Sequence, residues 1–540
     1  MNTQAGALGD VIDDVFAAMS RSRAAFSPTL ELREAGTLIS VSTGVAQVSG
    51  LPGAGFDELL RFAGGALGIS FNLDEEAIGV ILLDDSWKLH AGDQVARTGR
   101  VMDIAVGDAL LGRVVDPLGN PLDDLGPIDA GVRRPIECAA APIMDRSAVN
   151  EPLQTGIKVI DALIPIGRGQ RELILGDRQT GKTAIAIDTI LNQRGQDVLC
   201  VYCAIGQRAS AVAKVIATLK AQGALAWTVV VVVAGDRPAG LSYIAPYAAT
   251  SIAEHFMEAG RDVLIVYDDL TQHARAYREL SLLLRRPPGR EAFPGDIFYL
   301  HSRLLERSTH LRPERGGGSL TALPIVETEA QDMSAYIPTN LISITDGQIY
   351  LSPTLFELGS LPAIDIGQSV SRVGGKAQRA AFRALAGDLK LAYAQFEELE
   401  TFSRFGARLD EASKKSIEHG RRLRACLQQP ESNPVPVVEQ LLLLQALAAG
   451  LFDEVALATM PEAEAAVRAS ADHLVSALRD KLRGATALAD AETKEIAATA
   501  RSALDAFRAP GTGPASGESA PAMAPPAVPT PSSPSANGQP

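Results

Sequence analysis

An eight-residue stretch, Gly176–Thr183, constrains this chain more than any other part of its sequence. It reads GDRQTGKT and fits the pattern G-x-x-x-x-G-K-[ST]. The apolar run Glu172–Leu175 precedes it, and a helical pattern over Thr183–Leu191 follows it. A loop of this type between a buried strand and a helix is the phosphate-binding loop of α/β proteins that bind nucleotides. We therefore expect an α/β core of the P-loop NTPase class, built on a parallel sheet.

The chemistry of phosphate binding explains these residue types. Glycines let backbone N–H groups close around phosphate oxygens, Lys182 neutralises the charge of the β- and γ-phosphates, and the Thr183 hydroxyl reaches Mg²⁺. Such a site also needs a carboxylate at a strand end to hold Mg²⁺ through water. Asp268 ends the apolar run that starts at Val263, and Asp269 is the second choice. Thr183 and Asp268 are thus the predicted Mg²⁺ residues. The loop residues predicted to bind ATP or ADP are Gly176, Asp177, Arg178, Gln179, Thr180, Gly181, Lys182 and Thr183.

Hydrolysis also requires a group that polarises the attacking water. The strand after the P-loop helix ends in Ala204–Arg208, which places Gln207 where a catalytic ATPase would use a carboxylate. A glutamine orients water but cannot accept its proton, although some GTPases do use one. We expect Gln207 to contact the nucleotide site, and turnover there to be slow or absent.

The rest of the chain divides by its pattern of apolar residues. Residues 1–27 contain an amphipathic helical pattern, and residues 28–95 contain short β-rich runs typical of a small β-barrel or sandwich. Residues 96–375 alternate strand and helix patterns, as in a doubly wound parallel sheet. Residues 376–508 have helical spacing only, and residues 509–540 hold nine prolines and should be disordered. The predicted elements are barrel strands within Gly36–Val48, Leu67–Leu73 and Ala77–Leu83, sheet strands Arg171–Gly176, Asp197–Ala204, Thr228–Ala234, Asp262–Asp268, Ser319–Val326 and Asn340–Thr345, and helices Ala380–Phe402, Ser413–Leu427 and Val437–Met460.

Composition excludes several classes of function. The 50 Lys and Arg residues against 64 Asp and Glu give a net charge of −14, which disfavours binding to nucleic acid. Four cysteines are too few for a disulfide-stapled secreted protein. Cys200 and Cys203 lie three apart on a predicted strand, so their side chains should point to opposite faces and share no metal. We expect no signal peptide, no transit peptide and no membrane span, so any membrane association must come through partners.

Several stretches together resemble the alpha subunit of F-type rotary ATP synthases, and the resemblance runs from about residue 30 to about residue 505. The Gln at position 207 separates alpha subunits from beta subunits and from flagellar and secretion ATPases, which carry Glu there. The matching stretches are GRGQRELILGDRQTGKT (Gly167–Thr183), AIGQR (Ala204–Arg208), YDDL (Tyr267–Leu270), LLLRRPPGREAFPGDIFYLHSRLLERS (Leu282–Ser308), ISITDGQIYLSP (Ile342–Pro353) and SVSRVGG (Ser369–Gly375).

This resemblance implies a role that the residues alone do not. Alpha and beta subunits would alternate in a six-membered ring around the gamma central stalk, with the delta and peripheral stalk bound near the N-terminal helix. The alpha site would hold Mg-ATP or Mg-ADP without turning it over. Arg372 matches the arginine finger that reaches into the neighbouring beta site. The complex would couple ATP synthesis or hydrolysis to proton or sodium transport at the cytoplasmic face of a bacterial inner membrane, and this subunit would meet the membrane only through the ion-translocating sector.

The sequence departs from the family at the base end of the nucleotide site. Related alpha subunits have an Arg-Pro pair and a Gln-x-Gln there, and this protein has Leu361-Pro362 and Gln429-Pro430-Glu431. Pro362 and Gln429 are predicted to contact the nucleotide. Because ionised Glu431 can only accept hydrogen bonds, we expect weaker retention of nucleotide and poorer discrimination of adenine from guanine.

Two other functions remain open at this point. One is a catalytic hexameric ATPase, of the secretion type or like the Rho helicase, which Gln207 and the net charge disfavour. The other is an assembly protein whose P-loop has lost its ligand.

Overall fold

The computed structural model describes residues 34–129, 131–404, 410–484 and 486–507, together with residues 16, 19, 20 and 23. Except for those four residues, the predicted N-terminal helix and the Pro-rich tail lie outside the described residues. The described part starts with six antiparallel strands that close into a barrel in the order β1-β2-β5-β4-β3-β6. This confirms the predicted N-terminal barrel. Its strands are β1 (Ala35–Ser42), β2 (Val45–Ser49), β3 (Glu58–Phe62), β4 (Leu67–Leu73), β5 (Ile78–Leu82) and β6 (Gln94–Val101).

The central domain is built on an eight-stranded sheet with the order β18-β17-β12-β16-β15-β13-β14-β8. All neighbours run parallel except β17 and β18, which are antiparallel. Two small two-stranded sheets pair β7 with β9 and β10 with β11. The predicted parallel sheet is confirmed. The strands after the barrel are β7 (Asp103–Val106), β8 (Val114–Val115), β9 (Val132–Pro135), β10 (Pro152–Leu153), β11 (Ile166–Gly167), β12 (Glu172–Gly176), β13 (Val198–Gln207), β14 (Thr228–Ala234), β15 (Asp262–Asp268), β16 (Ser319–Glu327), β17 (Gly347–Leu351) and β18 (Ile364–Ser371).

The sheet separates two hydrophobic cores. Alternate residues of β13 enter one core or the other, so Cys200 and Tyr202 pack with the P-loop helix, whereas Cys203 packs with the core on the opposite face. Burial raises the pKa of both thiols. The two cysteines are therefore structural residues on opposite faces, as predicted.

Helices cover both faces of this sheet. One predicted strand, Asn340–Thr345, is wrong, because the segment belongs to the helix Tyr336–Ile344 and the strand starts later, at Gly347. Ile337, Leu341 and Ile344 are buried at helical spacing, and this spacing overrides the β-branched composition. The helices of the domain are Lys158–Leu163, Lys182–Asn192, Ala209–Ala221, Ala239–Glu258, Leu270–Leu283, Ile297–Leu305, Tyr336–Ile344, Pro353–Glu357 and Gly374–Ala377.

The C-terminal domain is helical, as predicted. Its first two helices cross closely at Gly420, where an added Cβ would clash with the ring of Phe396. The prediction of one helix over Val437–Met460 is wrong, since the helix ends at Ala448 and Gly450 adopts a left-handed conformation with φ of 67°. The helices are Ala380–Arg404, Glu411–Leu427, Val437–Ala448, Met460–Ala469, Ser476–Arg483 and Asp490–Leu504.

Candidate functional site

The P-loop connects the end of β12 to the helix Lys182–Asn192. Gly181 precedes the helix with φ of 95°, a conformation that an L side chain rarely adopts. At Gly176 a Cβ would lie 2.8 Å from the carbonyl oxygen of Leu351, so this position also requires glycine. Lys182 is buried, and its Nζ donates to the carbonyl oxygens of Gly176 (2.9 Å) and Asp177 (2.6 Å). Burial lowers the pKa of Lys182. The ammonium group is thus held against the carbonyl groups of the loop, at the cavity that the loop lines.

The other loop residues divide into anchors and exposed groups. Asp177 is an anchor, because its carboxylate accepts from Thr328 Oγ1 (2.6 Å) and from the backbone N–H of Gln331 (3.0 Å). Thr180 Oγ1 donates to the carbonyl of Asp177 at 2.8 Å and closes the turn. Arg178 and Gln179 are exposed. The loop is therefore fixed from below while its upper surface stays accessible.

The two predicted Mg²⁺ residues lie in direct contact. Thr183 Oγ1 donates to Asp268 Oδ2 at 2.7 Å, and the hydroxyl of Tyr202 donates to the same oxygen at 2.7 Å. Asp268 is buried at the end of β15, and burial raises its pKa. The sequence did not single out Tyr202. Its only signal was that it is the one hydroxyl-bearing side chain on the buried strand next to β15.

Gln207 lies at the end of β13, as predicted. Its Nε2 donates to Asp268 Oδ1 (3.1 Å) and to Asp269 Oδ2 (3.4 Å). Burial raises the pKa of Asp269 to about 7, with a smaller contribution from the charge of Asp268. Asp269 also caps the following helix, because its side chain accepts from the backbone N–H of Gln272. The amide thus bridges two neighbouring carboxyl groups.

Glu327 is a site residue that the sequence analysis missed. It ends β16 in register with Gly176 and forms an ion pair with Arg178 at 3.2 Å. It lines the cavity above the P-loop, which has a volume of about 560 Å³ and also contains Lys182 and Asp268. A carboxylate that directly follows an apolar strand was the available signal. Recognising it also required the strand order, which places β16 beside β12.

A narrower cavity extends from the P-loop toward the position of the base. Leu361 and Pro362 form one side, the P-loop helix with Asp188 forms another, and Gln429 and Glu431 form a third. Asp188 is buried and accepts from the backbone N–H of Ser432 at 2.8 Å. Burial raises the pKa of Asp188 to about 6, with a smaller contribution from the charge of Glu431.

The amide of Gln429 is fully engaged within the protein. Its Nε2 donates to the carbonyls of Gly156 (2.8 Å) and Asn433 (2.9 Å), and its Oε1 accepts from the backbone N–H of Lys158 at 3.1 Å. Gln429 lines the cavity, as expected of a nucleotide contact, but its polar atoms position the loop rather than face the base. Exposed Glu431 is the remaining ionised group of this loop at the cavity.

Arg372 lies at the opposite end of the sheet from the P-loop. It follows Ser371, which pairs with Gly347, and Gly347 pairs in turn with Glu172 at the start of β12. The P-loop begins four residues further along β12, which corresponds to about 13 Å along the strand at ~3.3 Å per residue. Arg372 is exposed, and its Nη2 donates to the carbonyl of Ile342 at 3.3 Å.

Comparison with known proteins agrees with this geometry. Three family models match the sequence: the beta-barrel domain of the ATP synthase alpha/beta family over residues 31–99, its nucleotide-binding domain over 156–371, and the C-terminal domain of the ATP synthase alpha/beta chain over 378–503. Curated relatives include ATP synthase subunit alpha 2 of Albidiferax ferrireducens, which is 72% identical over 501 residues covering 93% of this chain and 94% of the relative. Subunit alpha 2 of Polaromonas naphthalenivorans is 69% identical, covering 94% and 98%. Subunit alpha 1 of a Marinomonas species is 67% identical, covering 92% and 98%. The chain therefore belongs to the ATP synthase alpha/beta family, as an alpha-type member.

Proposed function

We propose that this protein is the regulatory subunit of a rotary ATP synthase, which binds Mg-ATP or Mg-ADP without turning it over and lends Arg372 to the neighbouring beta subunit. The observation that carries this proposal is the separation of Arg372 from the P-loop of its own subunit. An arginine finger acts on charge that develops at the transferred phosphoryl group, so it must lie close to that group. Arg372 lies at the far end of the sheet and so must act on another subunit.

The absence of turnover follows from Gln207. Its Nε2 faces Asp268 and Asp269, which leaves only its amide oxygen to orient a water molecule. An amide oxygen cannot take the proton of that water at neutral pH. The site is therefore built to hold a nucleotide, not to hydrolyse it.

The residues around Thr183 and Asp268 fit Mg²⁺. They offer one hydroxyl and one carboxylate oxygen in contact, and oxygen atoms are the ligands that Mg²⁺ prefers. Among the described residues, no three His, Cys, Asp or Glu side chains cluster as a metal cage. This suits an ion that protein sites hold through few side chains, waters and substrate phosphates. When bound, Mg²⁺ would neutralise phosphate charge. The protein supplies the two oxygens and, through Tyr202 and Gln207, fixes the orientation of the carboxylate.

The proposed partners follow from the family. Membership implies a complex with beta and other subunits, and we extend this to an alternating alpha–beta ring, the gamma central stalk, and the delta and peripheral stalk. In the part of the chain that the structure describes, no helix is long and apolar enough to cross a membrane. We place the subunit at the cytoplasmic face of the bacterial inner membrane, where it participates in proton or sodium transport through the membrane sector of the complex.

The decisive experiment compares Arg372→Lys with the parent in the assembled complex. Fingers supplied in trans contribute ~10³–10⁵ in rate, and lysine lacks the planar fork of donors. We expect turnover to fall by at least ~10³ while nucleotide affinity of the beta site changes little. Arg421→Lys, at an exposed arginine of the helical domain, serves as the matched control. Retention of most of the turnover in Arg372→Lys would show that Arg372 is not the finger.

A second measurement tests the non-catalytic role directly. The isolated full chain should bind ADP, and its ATPase activity should stay at background. Steady ATP hydrolysis by the isolated chain would support the hexameric ATPase instead, and absence of ADP binding would support the assembly protein.

A further inference from the structure

We propose that the groove between the nucleotide-binding domain and the helical domain binds the polyphosphate group of a nucleotide-sized organic anion, at a site separate from the P-loop. The groove has a volume of about 820 Å³, within the ~300–1,000 Å³ range of small-molecule sites. This inference goes beyond the proposed function, which uses only the P-loop cavity and Arg372. Four arginines line the groove: Arg194, Arg379, Arg479 and Arg483.

Arg379 provides the main evidence for an anion in this groove. Its Nε is buried and has no hydrogen-bond partner, and no described carboxylate lies within salt-bridge distance of its guanidinium. Burial lowers its pKa, and Asp161 only partly offsets this. The Asp161 carboxylate already accepts from Thr155, Gly156 and Gln440. Burial of part of a guanidinium without a counter-charge costs free energy, and the negative charge of an anion in the groove would offset this cost.

Two of the other three arginines are available to the same ligand, whereas Arg194 already donates to a backbone carbonyl oxygen. Arg479 and Arg483 lie one turn apart on the helix Ser476–Arg483, so both project from one side of it. Their ion pairs are long and exposed: Arg479 lies 3.7 Å from Asp472, and Arg483 lies 3.8 Å from Asp480. Exposed pairs of this kind contribute little and exchange readily for a stronger acceptor.

Two carboxylates face the groove but do not neutralise it. Glu439 is already paired with Arg468 at 2.9 Å, and the side chain of Asp472 is 92% exposed. The groove therefore presents four guanidinium groups and two carboxylates on a protein whose net charge is −14. An arginine surplus at one concave site of an acidic protein indicates a ligand with several negative charges.

The groove is also lined by apolar side chains that suit the organic part of such a ligand. They lie at the end of the P-loop helix and around the start of the helix Val437–Ala448, namely Leu191, Pro434, Pro436, Val437 and Val438. Ser432 lines both this groove and the P-loop cavity, so a single loop separates the two sites. A ligand can thus place phosphates on the arginines and a base or other flat group on the apolar side chains.

The test uses the full chain saturated with Mg-ADP, so that the P-loop is filled, and inorganic tripolyphosphate as the probe. Calorimetric titration at low ionic strength should detect binding to the parent. The double variant Arg379→Ala/Arg479→Ala should bind at least about tenfold more weakly, because each hydrogen bond to a charged group contributes roughly 1.5–3 kcal/mol. The control Arg421→Ala, which removes an exposed positive charge outside the groove, should bind like the parent. No binding by the parent, or equal weakening in the control, would overturn the proposal.

Thermal denaturation supplies a readout that does not depend on whether the alanine variants fold. With the P-loop filled by Mg-ADP and no tripolyphosphate present, Arg379→Met should melt at a higher temperature than the parent, because it removes an unpaired half-buried charge. Tripolyphosphate should raise the melting temperature of the parent and leave that of Arg379→Met nearly unchanged. An equal rise in both would refute a role for Arg379.

If ADP fails to bind, the same titration without ADP separates failure of the proposed function from failure of this site. A nucleoside triphosphate added after the P-loop is filled should bind more tightly than tripolyphosphate. Equal affinity would reject the organic part of the ligand.

Discussion

The base end of the nucleotide cavity offers the sharpest test of the structure, through the substitution Glu431→Gln. The Gln429 amide is held by Gly156, Asn433 and Lys158, so Glu431 is the side chain of this loop left to read a base. Ionised Glu431 only accepts hydrogen bonds, whereas glutamine both donates and accepts. Adenine presents ring nitrogens as acceptors beside its amino group, and a carboxylate cannot donate to them.

The magnitude follows from one neutral hydrogen bond. Such a bond contributes ~0.5–1.5 kcal/mol net, which corresponds to about a twofold to twelvefold change in affinity. We therefore expect Glu431→Gln to slow ADP release by that factor. GDP release should slow less, because a carboxylate already suits the N–H groups of guanine. The ratio of the two rates should move toward adenine. Adding Leu361→Arg, which supplies donors on the other side of the cavity, should slow ADP release further.

Release of ADP and GDP from the full chain, followed by displacement with excess unlabelled nucleotide, measures both rates. The matched control is Glu462→Gln, at an exposed carboxylate of the helical domain. Unchanged ADP release in Glu431→Gln/Leu361→Arg would refute the reasoning. A slowing in the control of equal size would show that net charge, not hydrogen bonding at the base, is responsible.

Three further predictions concern the loop, the pH dependence and the tail. Lys182→Ala should abolish the rise in stability that ADP gives the parent, which is ~2.7 kcal/mol at a hundred times Kd, and thermal denaturation with and without ADP checks this. Asp188 has a pKa of about 6 in the folded state, above the value of 3.8 for a free carboxyl. The folded state therefore binds the Asp188 proton more tightly than the unfolded state does, and the stability that this proton contributes is lost as pH rises through 6. Asp188→Asn should therefore gain melting temperature relative to the parent at pH 8 but not at pH 4, and a gain that is the same at both values would contradict this cause. Truncation after Arg508 should leave assembly and turnover nearly unchanged, and a large loss of complex on gel filtration would show that the tail binds a partner.

The sequence predicted the elements whose pattern is local and strong. The strands Thr228–Ala234 and Asp262–Asp268 were predicted to the residue, because runs that are apolar at every position fit strands covered on both faces. The segment Asn340–Thr345 was wrongly predicted as a strand, since its apolar residues fit both the strand period and the helix period. Ile337, outside the segment, completes the buried face of the helix. The helix after Val437 was predicted too long, because Gly450 ends it by conformation and not by polarity.

The site residues also differ in how far the sequence alone could predict them. Contact between Thr183, Asp268 and Gln207 was predictable, since all three follow from where neighbouring parallel strands end. Glu327 required knowledge that β16 lies beside β12, which a single sequence does not contain. Gln429 shows the converse, because its position at the cavity was expected but the engagement of its amide by Gly156 depends on a contact across more than two hundred residues.

The direction of one edge strand explains why Arg372 lies far from the P-loop of its own subunit. Strand β18 is antiparallel to β17, so its last residue pairs with Gly347 at the beginning of the neighbouring strands. Had β18 run parallel to the rest of the sheet, its carboxyl end would lie beside Leu351 and hence beside Gly176 and the P-loop. The arginine would then stand next to a nucleotide bound by its own subunit. The antiparallel direction instead separates it from the P-loop by about 13 Å along the strand direction, at ~3.3 Å per residue over four residues. Under the proposed function, a protein with this topology binds a nucleotide and offers Arg372 at two separate places, so a neighbouring subunit would receive Arg372.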